Sequence, residues 1–586
     1  MFRRFSLVLI LGLAARLAAA FQTDSVLLPD TAFKATPVPA LRLVESMSVE
    51  PLAVLKPADK GAGDQLDAIA AWNHSRRVPA KNGFSRPLPA EKPVRFTKAL
   101  LKSLPNRLSG GALLVPPSGG VVWGAETRVE GAHRLRLHLS GVSLPKGTRI
   151  WVYGEAGTGE EVSVLAEDVT VQGEIWTPSV AGPAIRLEVR LPEDGLDGAG
   201  FTVDRVLELF ELNGDGSPVV GLALKADFSC VQDAACYGVA QSASLDVQKR
   251  ATALLEFVDG GQGYLCSGAL LNDTDNSTTI PYLLTAHHCF DTQASASTLE
   301  AFFDYIDSSC GGAAPSLATR PKSVGSTLLA TGAGSDFTFV RLSSLPAGRG
   351  LLGVTSDTVT NGTVIHRLSF PDGQPMRYSR GTVKTSGETC DGISRPNFLY
   401  SLTDLGGTFG GSSGSAVVRA SDGRVVGQLL GSCGFNPDEG CDRSNDDVDG
   451  AMALTWPAVS AWLAPVVTNP SVCTPGPTTL CLNAGRFKVE GTYQTAGGLS
   501  GPAQVVKLTD DTGYFWFFTQ ANVEVVVKVL NACTRQRYWV FAGGLTDVNV
   551  VTTVTDTQTG AVKVYTNPLG AKFQPVQDTS AFSTCP

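Results

Sequence analysis

All twelve cysteines of this chain lie at or beyond Cys230. An even number of cysteines in a chain sent to an oxidising compartment reads as a disulfide framework. Export is the expectation from the N-terminus. Met1-Phe2-Arg3-Arg4 is basic, Leu7 to Leu13 is apolar, and Ala18-Ala19-Ala20 is small, the three parts of a secretory signal cleaved near Ala20. The apolar run is too short to anchor the chain in a bilayer, and no later stretch approaches the needed length. The expected product is secreted, extracellular or periplasmic, without a membrane anchor.

A chain of 586 residues is too long for one core. Its 63 glycines and 34 prolines, with Val and Thr in short runs between turn residues, favour β architecture. Charged residues make up 17%, the net charge is −8 and no Lys/Arg run occurs, which argues against a nucleic-acid partner.

The expected organisation is a signal peptide (1–20), an N-terminal pro-region (21–225), a central domain (226–465) and a C-terminal accessory domain (466–586). Residues 21 to about 110 carry little periodicity beyond a short helix around Gln65 to Trp72. From about 111 strands alternate with Gly/Pro turns, as in a cysteine-free β-sandwich. In His133-Arg134-Leu135-Arg136-Leu137-His138-Leu139 the leucines share one face and the basic groups the other, so His133 and His138 read as strand residues. The turn cluster Asn213 to Pro218 suits an exposed boundary.

The central unit holds Cys230, Cys236, Cys266, Cys289, Cys310, Cys390, Cys433 and Cys441, and closes on an amphipathic helix with Val459, Trp462 and Leu463 on one face, ended by Pro465. In the last unit Val523 to Val529 puts valine at odd positions, a strand with one buried side. Cys473, Cys481, Cys533 and Cys585 can form two bridges there. The run Tyr514-Phe515-Trp516-Phe517-Phe518 reads either as a platform for carbohydrate or surface contact or, preferentially, as a core strand buried on both faces.

Two stretches carry chemistry. Gly410-Gly411-Ser412-Ser413-Gly414-Ser415 leads into the apolar Ala416-Val417-Val418, placing a hydroxyl at the end of a β element, although Gly/Ser runs also serve as linkers. Tyr282-Leu283-Leu284-Thr285-Ala286-His287-His288-Cys289 ends an apolar strand on two histidines. A metal site is one reading. Adjacent histidines on a strand point to opposite faces, however, and an oxidised cysteine cannot ligate, which favours a general base on a disulfide-fixed loop.

Cys266-Ser267-Gly268-Ala269-Leu270, Leu284 to Cys289, Ser335-Asp336-Phe337-Thr338 and Gly411 to Ser415, in that order, resemble the chymotrypsin-fold, trypsin-like serine proteases, and most closely the bacterial lysyl endopeptidases. The likeness extends to Cys230 and Cys236 and covers roughly 240 residues. It implies a mainly β protein with a double β-barrel protease domain, flanked by the two β-sandwich-like domains. It assigns His288 as base, Asp336 as orienting carboxylate and Ser413 as nucleophile, with the N–H groups of Gly411 and Ser413 as oxyanion hole. It also implies disulfides Cys266–Cys289 and Cys236–Cys310, and leaves the partners of Cys230, Cys390, Cys433 and Cys441 open. No metal or cofactor is required.

For specificity, Gly407 stands six residues before Ser413, where trypsin-like relatives hold an aspartate. The resemblance to lysyl endopeptidases instead points to a late aspartate, Asp447 or its neighbour Asp446, as receptor for a P1 cation, against the alternative of a solvated acidic loop. Leu430, Gly431 and Ser432 then line the substrate strand, with Leu430 where the family has histidine. Ser412 replaces the aspartate that captures a new N-terminus in trypsin-like zymogens. Lys225-Ala226 offers a cleavage point for a lysine-directed enzyme. The reading is a secreted serine endopeptidase acting on proteins or peptides, preferring Lys or Lys/Arg at P1. The alternative is an inactive binding or adhesion protein on a protease fold.

Overall fold

The computed structural model describes residues 21–29, 39–58, 63–75, 78–101, 107–117, 119–155, 160–212, 218, 230–274, 279–390, 392–434, 441–464, 473–535 and 537–585. The signal segment 1–20, most of the boundary turn at 213–217, Lys225 and Pro465 lie outside them.

Two closed barrels follow from the strand pairings. In the first, Thr252–Asp259 pairs with Gln262–Leu271 and with Glu300–Phe302. Glu300–Phe302 pairs with Lys322–Val324, which passes through Gly325 into Ser326–Gly332. That segment pairs with Phe337–Leu342, then Tyr282–Ala286, and so back to Gln262–Leu271. In the second, Val364–Ser369, Arg377–Lys384, Phe398–Leu405, Asp446–Ala451, Val425–Cys433 and Ala416–Arg419 pair in that cyclic order and close on the first strand. Closure removes the sheet edges that invite aggregation. Tyr282–Ala286 is buried at every position, and full burial of residues such as Leu283 contributes about 1.5–3 kcal/mol each.

Disulfides join Cys266 to Cys289 and Cys236 to Cys310, the pairings implied by the resemblance. The open partners resolve as Cys230–Cys441 and Cys390–Cys433.

Ahead of the barrels, two sheets pack face to face. One places Gly200–Leu209 between Ala80–Arg95 and Arg134–Ser143. The other contains Val121–Val129, Ala184–Leu191 and Arg149–Tyr153. Trp123 meets Phe201 edge-on at 5.5 Å in their shared core. The helix expected near Gln65 spans Gly63–His74. Residues 21–29 form a separate strap: Val26 and Leu27 pair with Leu351 and Gly350 in the connection between the barrels, and Phe21 stacks on Trp456 at 4.1 Å.

The basic face of Arg134–Ser143 departs from expectation. It is not the wet side of a half-buried strand, because Arg134, Arg136 and His138 are all buried. Acids of the first barrel explain this. Arg134 meets Glu256 at 2.5 Å, Arg136 lies 3.9 Å from Glu300, and Lys322 bridges Glu300 at 2.9 Å and Glu160 at 3.2 Å. His138 Nδ1 bonds Asp204 at 2.7 Å.

The C-terminal residues build a second sandwich. Phe487–Gln494 and Asn549–Asp556 belong to one sheet, Thr512–Trp516, Val525–Ala532 and Arg537–Gly544 to the other. Bridges Cys473–Cys481 and Cys533–Cys585 lie here. The aromatic run corrects the expectation of burial on both faces. Phe515 and Phe517 enter the core, Tyr514 and Trp516 are half-buried, and Phe518 is 47% exposed. A sheet with one packed face takes alternate residues inward even when all are aromatic.

Burial alone would raise the Glu300 carboxyl, but Lys322, Arg136 and Arg134 overcome it and hold it at about 2. A folded value below the ordinary ~4.3 means that this stabilisation is present above about pH 4.3 and is lost as pH falls towards 2. Glu300→Gln leaves buried cations uncompensated and should cost about 3–5 kcal/mol. Urea unfolding of the intact chain at neutral pH checks this, and an unchanged midpoint would refute the role assigned to the carboxylate.

Candidate active site

The strand Tyr282–Ala286 runs antiparallel to Phe337–Leu342, with Ala286 opposite Phe337. The residues just beyond these paired ends, His288 and Asp336, are therefore neighbours. The Cys266–Cys289 bridge ties the histidine turn to the adjoining strand. His288 N–H donates to Asp336 Oδ1 at 2.9 Å, and His288 Nδ1 bonds Oδ2 at 2.8 Å. A carboxylate only accepts, so Nδ1 carries the proton and Nε2 is left with its lone pair. Asp336 sits at φ 52, a left-handed conformation that needs support. His287 N–H donates to Asp336 O at 3.0 Å, and Gln428 of the second barrel donates to Ser335 O at 2.6 Å and Asp336 O at 3.1 Å. His287 turns elsewhere, with Nδ1 on Thr331 Oγ1 at 2.8 Å.

The Gly410–Ser415 turn of the second barrel docks on the same strand end. Gly414 has φ +79, and a Cβ there would fall 2.2 Å from Thr285 Oγ1 and 2.8 Å from Ala286 N. Gly411 has φ +86, and its Cβ would lie 2.6 Å from Phe370 O. Both positions exclude side chains. Ser267 of the first barrel donates its N–H to Ser413 O at 2.7 Å and its hydroxyl to Gly411 O at 2.8 Å. Ser412 is buried, its hydroxyl engaged by Ser369 at 3.1 Å.

Within this turn the N–H groups of Ser412, Gly414 and Ser415 donate to Phe409 O, Leu429 O and Ser412 O. Among the described residues those of Gly410, Gly411 and Ser413 have no acceptor. Ser413 Oγ and His288 Nε2 likewise have no hydrogen-bond partner among the described residues, and Nε2 is buried. The bond between hydroxyl and imidazole is thus not made here; such bonds are commonly long in free enzymes and tighten around substrate.

Asp447 lines a pocket with Thr403, Gly407, Thr408, Ser432 and Arg443. Thr408 Oγ1 donates to its Oδ1 at 2.7 Å, and Thr403 Oγ1 to its Oδ2. Arg367 Nη1 reaches Oδ2 at 3.3 Å, while its Nε donates to Asp449 Oδ1 at 3.0 Å and its Nη2 to Oδ2. Two buried carboxylates share the Arg367 guanidinium, and Asp442 and Arg443 line the same pocket as Asp447. Asp446 is held instead by Lys384 at 3.0 Å. Gly431 pairs with Val448 behind the pocket, and Leu430 packs beside Phe398, Tyr400 and Val448.

Arg367, Thr403, Thr408 and Gln428 were not singled out from sequence. For Arg367 a signal existed, since an arginine inside the apolar run Val364 to Leu368 demands a buried anion, and Asp447 and Asp449 share one strand face. The groupings of potential metal ligands among the described residues, Cys266/His288/Cys289 and Asp233/Cys236/Cys310, each contain two cysteines bonded to one another, whose sulfurs are not thiolates.

Comparison with known proteins finds the same relationship on both sides of the barrel boundary. The family described as lysyl endopeptidase, C-terminal domain, matches residues 224–446, and the lysyl endopeptidase N-terminal domain matches 118–204. A lysyl endopeptidase from Pseudomonas aeruginosa is 27% identical over 317 residues, covering 51% of this chain and 65% of the relative, just under two thirds of its length. Solved structures with similarity include the Rv3671c protease from M. tuberculosis in its active form (12% identity, 42% of this chain, 94% of that chain, TM-score 0.26). Another is the thermostable serine protease AL20 from an extremophilic microorganism (14% identity, 37% of this chain, 98% of that chain, TM-score 0.26). Both regions match models of the lysyl endopeptidase family, and together with the two closed barrels they support a lysyl endopeptidase-like serine protease.

Proposed function

We propose that the chain is an exported serine endopeptidase that cleaves proteins or peptides after lysine, or lysine and arginine. The observation that carries the reading is the His288–Asp336 pair, with the imidazole tautomer set for proton acceptance, beside a turn that presents Ser413 and the free N–H groups of Gly411 and Ser413. Ser413 Oγ attacks the scissile carbonyl while its proton passes to His288 Nε2. The imidazolium, stabilised by Asp336, returns that proton to the leaving amine, giving an acyl-enzyme. Water activated by the same imidazole then attacks the ester, and Ser413 regains its proton. The Gly411 and Ser413 N–H groups stabilise the oxyanion in both steps. Six disulfides agree with export to an oxidising compartment.

The buried Asp447 carboxylate in the pocket lining supports basic P1 specificity. A lysine or arginine side chain entering the pocket would bring a cation to Asp447, where a desolvated pair discriminates strongly against neutral side chains.

A fluorophosphonate should label the active protein at Ser413, whereas Ser413→Ala and His288→Ala should not react. Asp336→Asn should lower kcat by about 10⁴-fold, and Gly411→Ala by roughly 100- to 1,000-fold. Gln428→Leu, which frees two buried carbonyls, should reduce kcat with little change in KM. Labelling that persists in Ser413→Ala would move the nucleophile elsewhere.

Digestion of a peptide library should report a basic P1 residue. Asp447→Asn should cut kcat/KM for lysine substrates about 100-fold or more while sparing aliphatic P1 substrates. Burial pushes the Asp449 carboxyl up to about 6, with Arg367 opposing and Asp447 adding to the rise. Protonation below that value removes a negative charge beside Asp447. The inhibition constant of n-butylamine, a cationic mimic of the lysine side chain, should therefore rise as pH falls through about 6. An unvarying constant between about pH 7 and 5 would dissociate Asp449 from the pocket.

A further inference from the structure

The aromatic run Tyr514–Phe518 divides between the two sides of one sheet of the C-terminal sandwich. Phe515 and Phe517 enter the core, while Tyr514, Trp516 and Phe518 turn away from it. The neighbouring strands divide in the same way. In Val525–Ala532 the core takes Val525, Val527 and Val529 and leaves Val526 and Leu530 outside. In Arg537–Gly544 it takes Tyr538, Val540 and Ala542 and leaves Trp539 and Phe541 outside. All of these outward side chains keep contact with solvent, and Val526 is 37% exposed.

Strand register gathers them into one patch. Tyr514 stands opposite Val526, and Leu530 opposite Trp539. Trp516 follows Tyr514 on the same face, and Phe541 follows Trp539, their rings meeting edge-on at 6.3 Å. Paired strands lie about 4.8 Å apart and like-facing residues of one strand about 6.6 Å apart, so these side chains adjoin. A contiguous apolar face of this kind, two-thirds of it aromatic, marks an interaction site rather than ordinary surface.

The polar groups around the rings are mostly neutral. Gln504 is opposite Trp516, Gln577 is opposite Phe541, and Thr512 is opposite Lys528. The Lys528 ammonium is already matched by Asp511 at 2.6 Å. At one end of the face the Arg535 guanidinium lies over the Trp539 ring at 5.8 Å. At the other, Phe518 and Leu545 wall a depression that also holds Asn522 and Glu524, with Asp547 and Lys572 contributing one charge of each sign. Glu524 is only 4% exposed. Its Oε1 accepts from Asn522, and its Oε2 has no hydrogen-bond partner among the described residues. A buried carboxylate oxygen without a donor calls for one from a ligand.

We propose that this outer face binds an extended, uncharged polysaccharide, with Tyr514, Trp516, Trp539 and Phe541 stacking on its sugar rings and Glu524 receiving a hydroxyl at one end. A pyranose ring with equatorial substituents presents a flat face of C–H groups, which packs against an aromatic ring and its negative π-face. Its hydroxyls then point sideways, where the amides of Gln504 and Gln577 and the Thr512 hydroxyl can donate or accept. A charged polymer gains little on this face, because Lys528 is already paired. The site lies within the C-terminal sandwich and is independent of the catalytic reading above.

The test measures depletion of the intact full chain, its mass verified, from solution by two insoluble uncharged polymers, cellulose and chitin. At least one should retain it saturably. Trp516→Ala and Trp539→Ala, made separately, should each weaken that retention at least about tenfold, a shift of ~1.4 kcal/mol, with the urea unfolding midpoint unmoved. Trp516→Phe keeps a ring and should recover part of what Trp516→Ala loses, which separates lost stacking from lost folding. Retention by neither polymer, or retention unchanged in both alanine variants, overturns the inference. So does self-association of the wild-type chain that both alanine variants abolish, since the face would then serve a second copy.

Discussion

Ser267 is the point on which the site depends. This buried residue of the first barrel spends its N–H on Ser413 O and its hydroxyl on Gly411 O, while the same hydroxyl accepts from Phe370 N and its carbonyl accepts from Thr285. Four hydrogen bonds from one residue therefore register the second barrel's Gly410–Ser415 turn against the strand that leads to His288. Gly414, packed on Thr285, allows no side chain between them. Gln428 makes the reciprocal tie, reaching from the second barrel to the backbone of Asp336. Each barrel thus braces the backbone of the other beside His288 and Ser413. Positioning of this kind carries much of the rate advantage of an enzyme.

Buried charge is used in two different ways. Where the N-terminal sandwich meets the first barrel, Arg134, Arg136 and Lys322 face Glu160, Glu256 and Glu300, three cations against three anions. Such a balanced set resists the entry of another charge. Beside Gly407, Arg367 faces Asp447 and Asp449, one cation against two anions. The hydroxyls of Thr403 and Thr408 donate to Asp447, and Ser401 accepts from Arg367, so each buried charge there also has neutral hydrogen-bond partners.

Much of the barrel architecture is legible in the sequence. The paired cysteines, the histidine turn, Asp336 ahead of an apolar strand and the glycines around Ser413 are local patterns, each needing a residue type at one place in the chain. What escaped were demands created only by packing. The basic face of Arg134–Ser143 looked wet because its acids, Glu256 and Glu300, lie more than a hundred residues away. Tyr514–Phe518 looked wholly buried because hydropathy cannot tell an inner from an outer aromatic. Gln428 looked like any polar strand residue, since the carbonyls it serves become needy only when Asp336 takes a left-handed conformation.

The relation of the N-terminal unit to the barrels was the least legible, for a physical reason. The cysteine-free composition marks it as a separate unit, yet one continuous sheet runs from Arg134–Ser143 through Ala80–Arg95 into the first barrel. Strand addition is made by backbone groups, which every residue but proline possesses, so it imposes no side-chain alphabet on either partner. The trace it leaves is negative. Gly83 and Gly263 are small because two backbones must meet, and neither glycine lies in a turn that would otherwise account for it. An unexplained glycine within each of two extended strands is thus the mark such recognition leaves, and it gains meaning only once the two positions are seen to face each other.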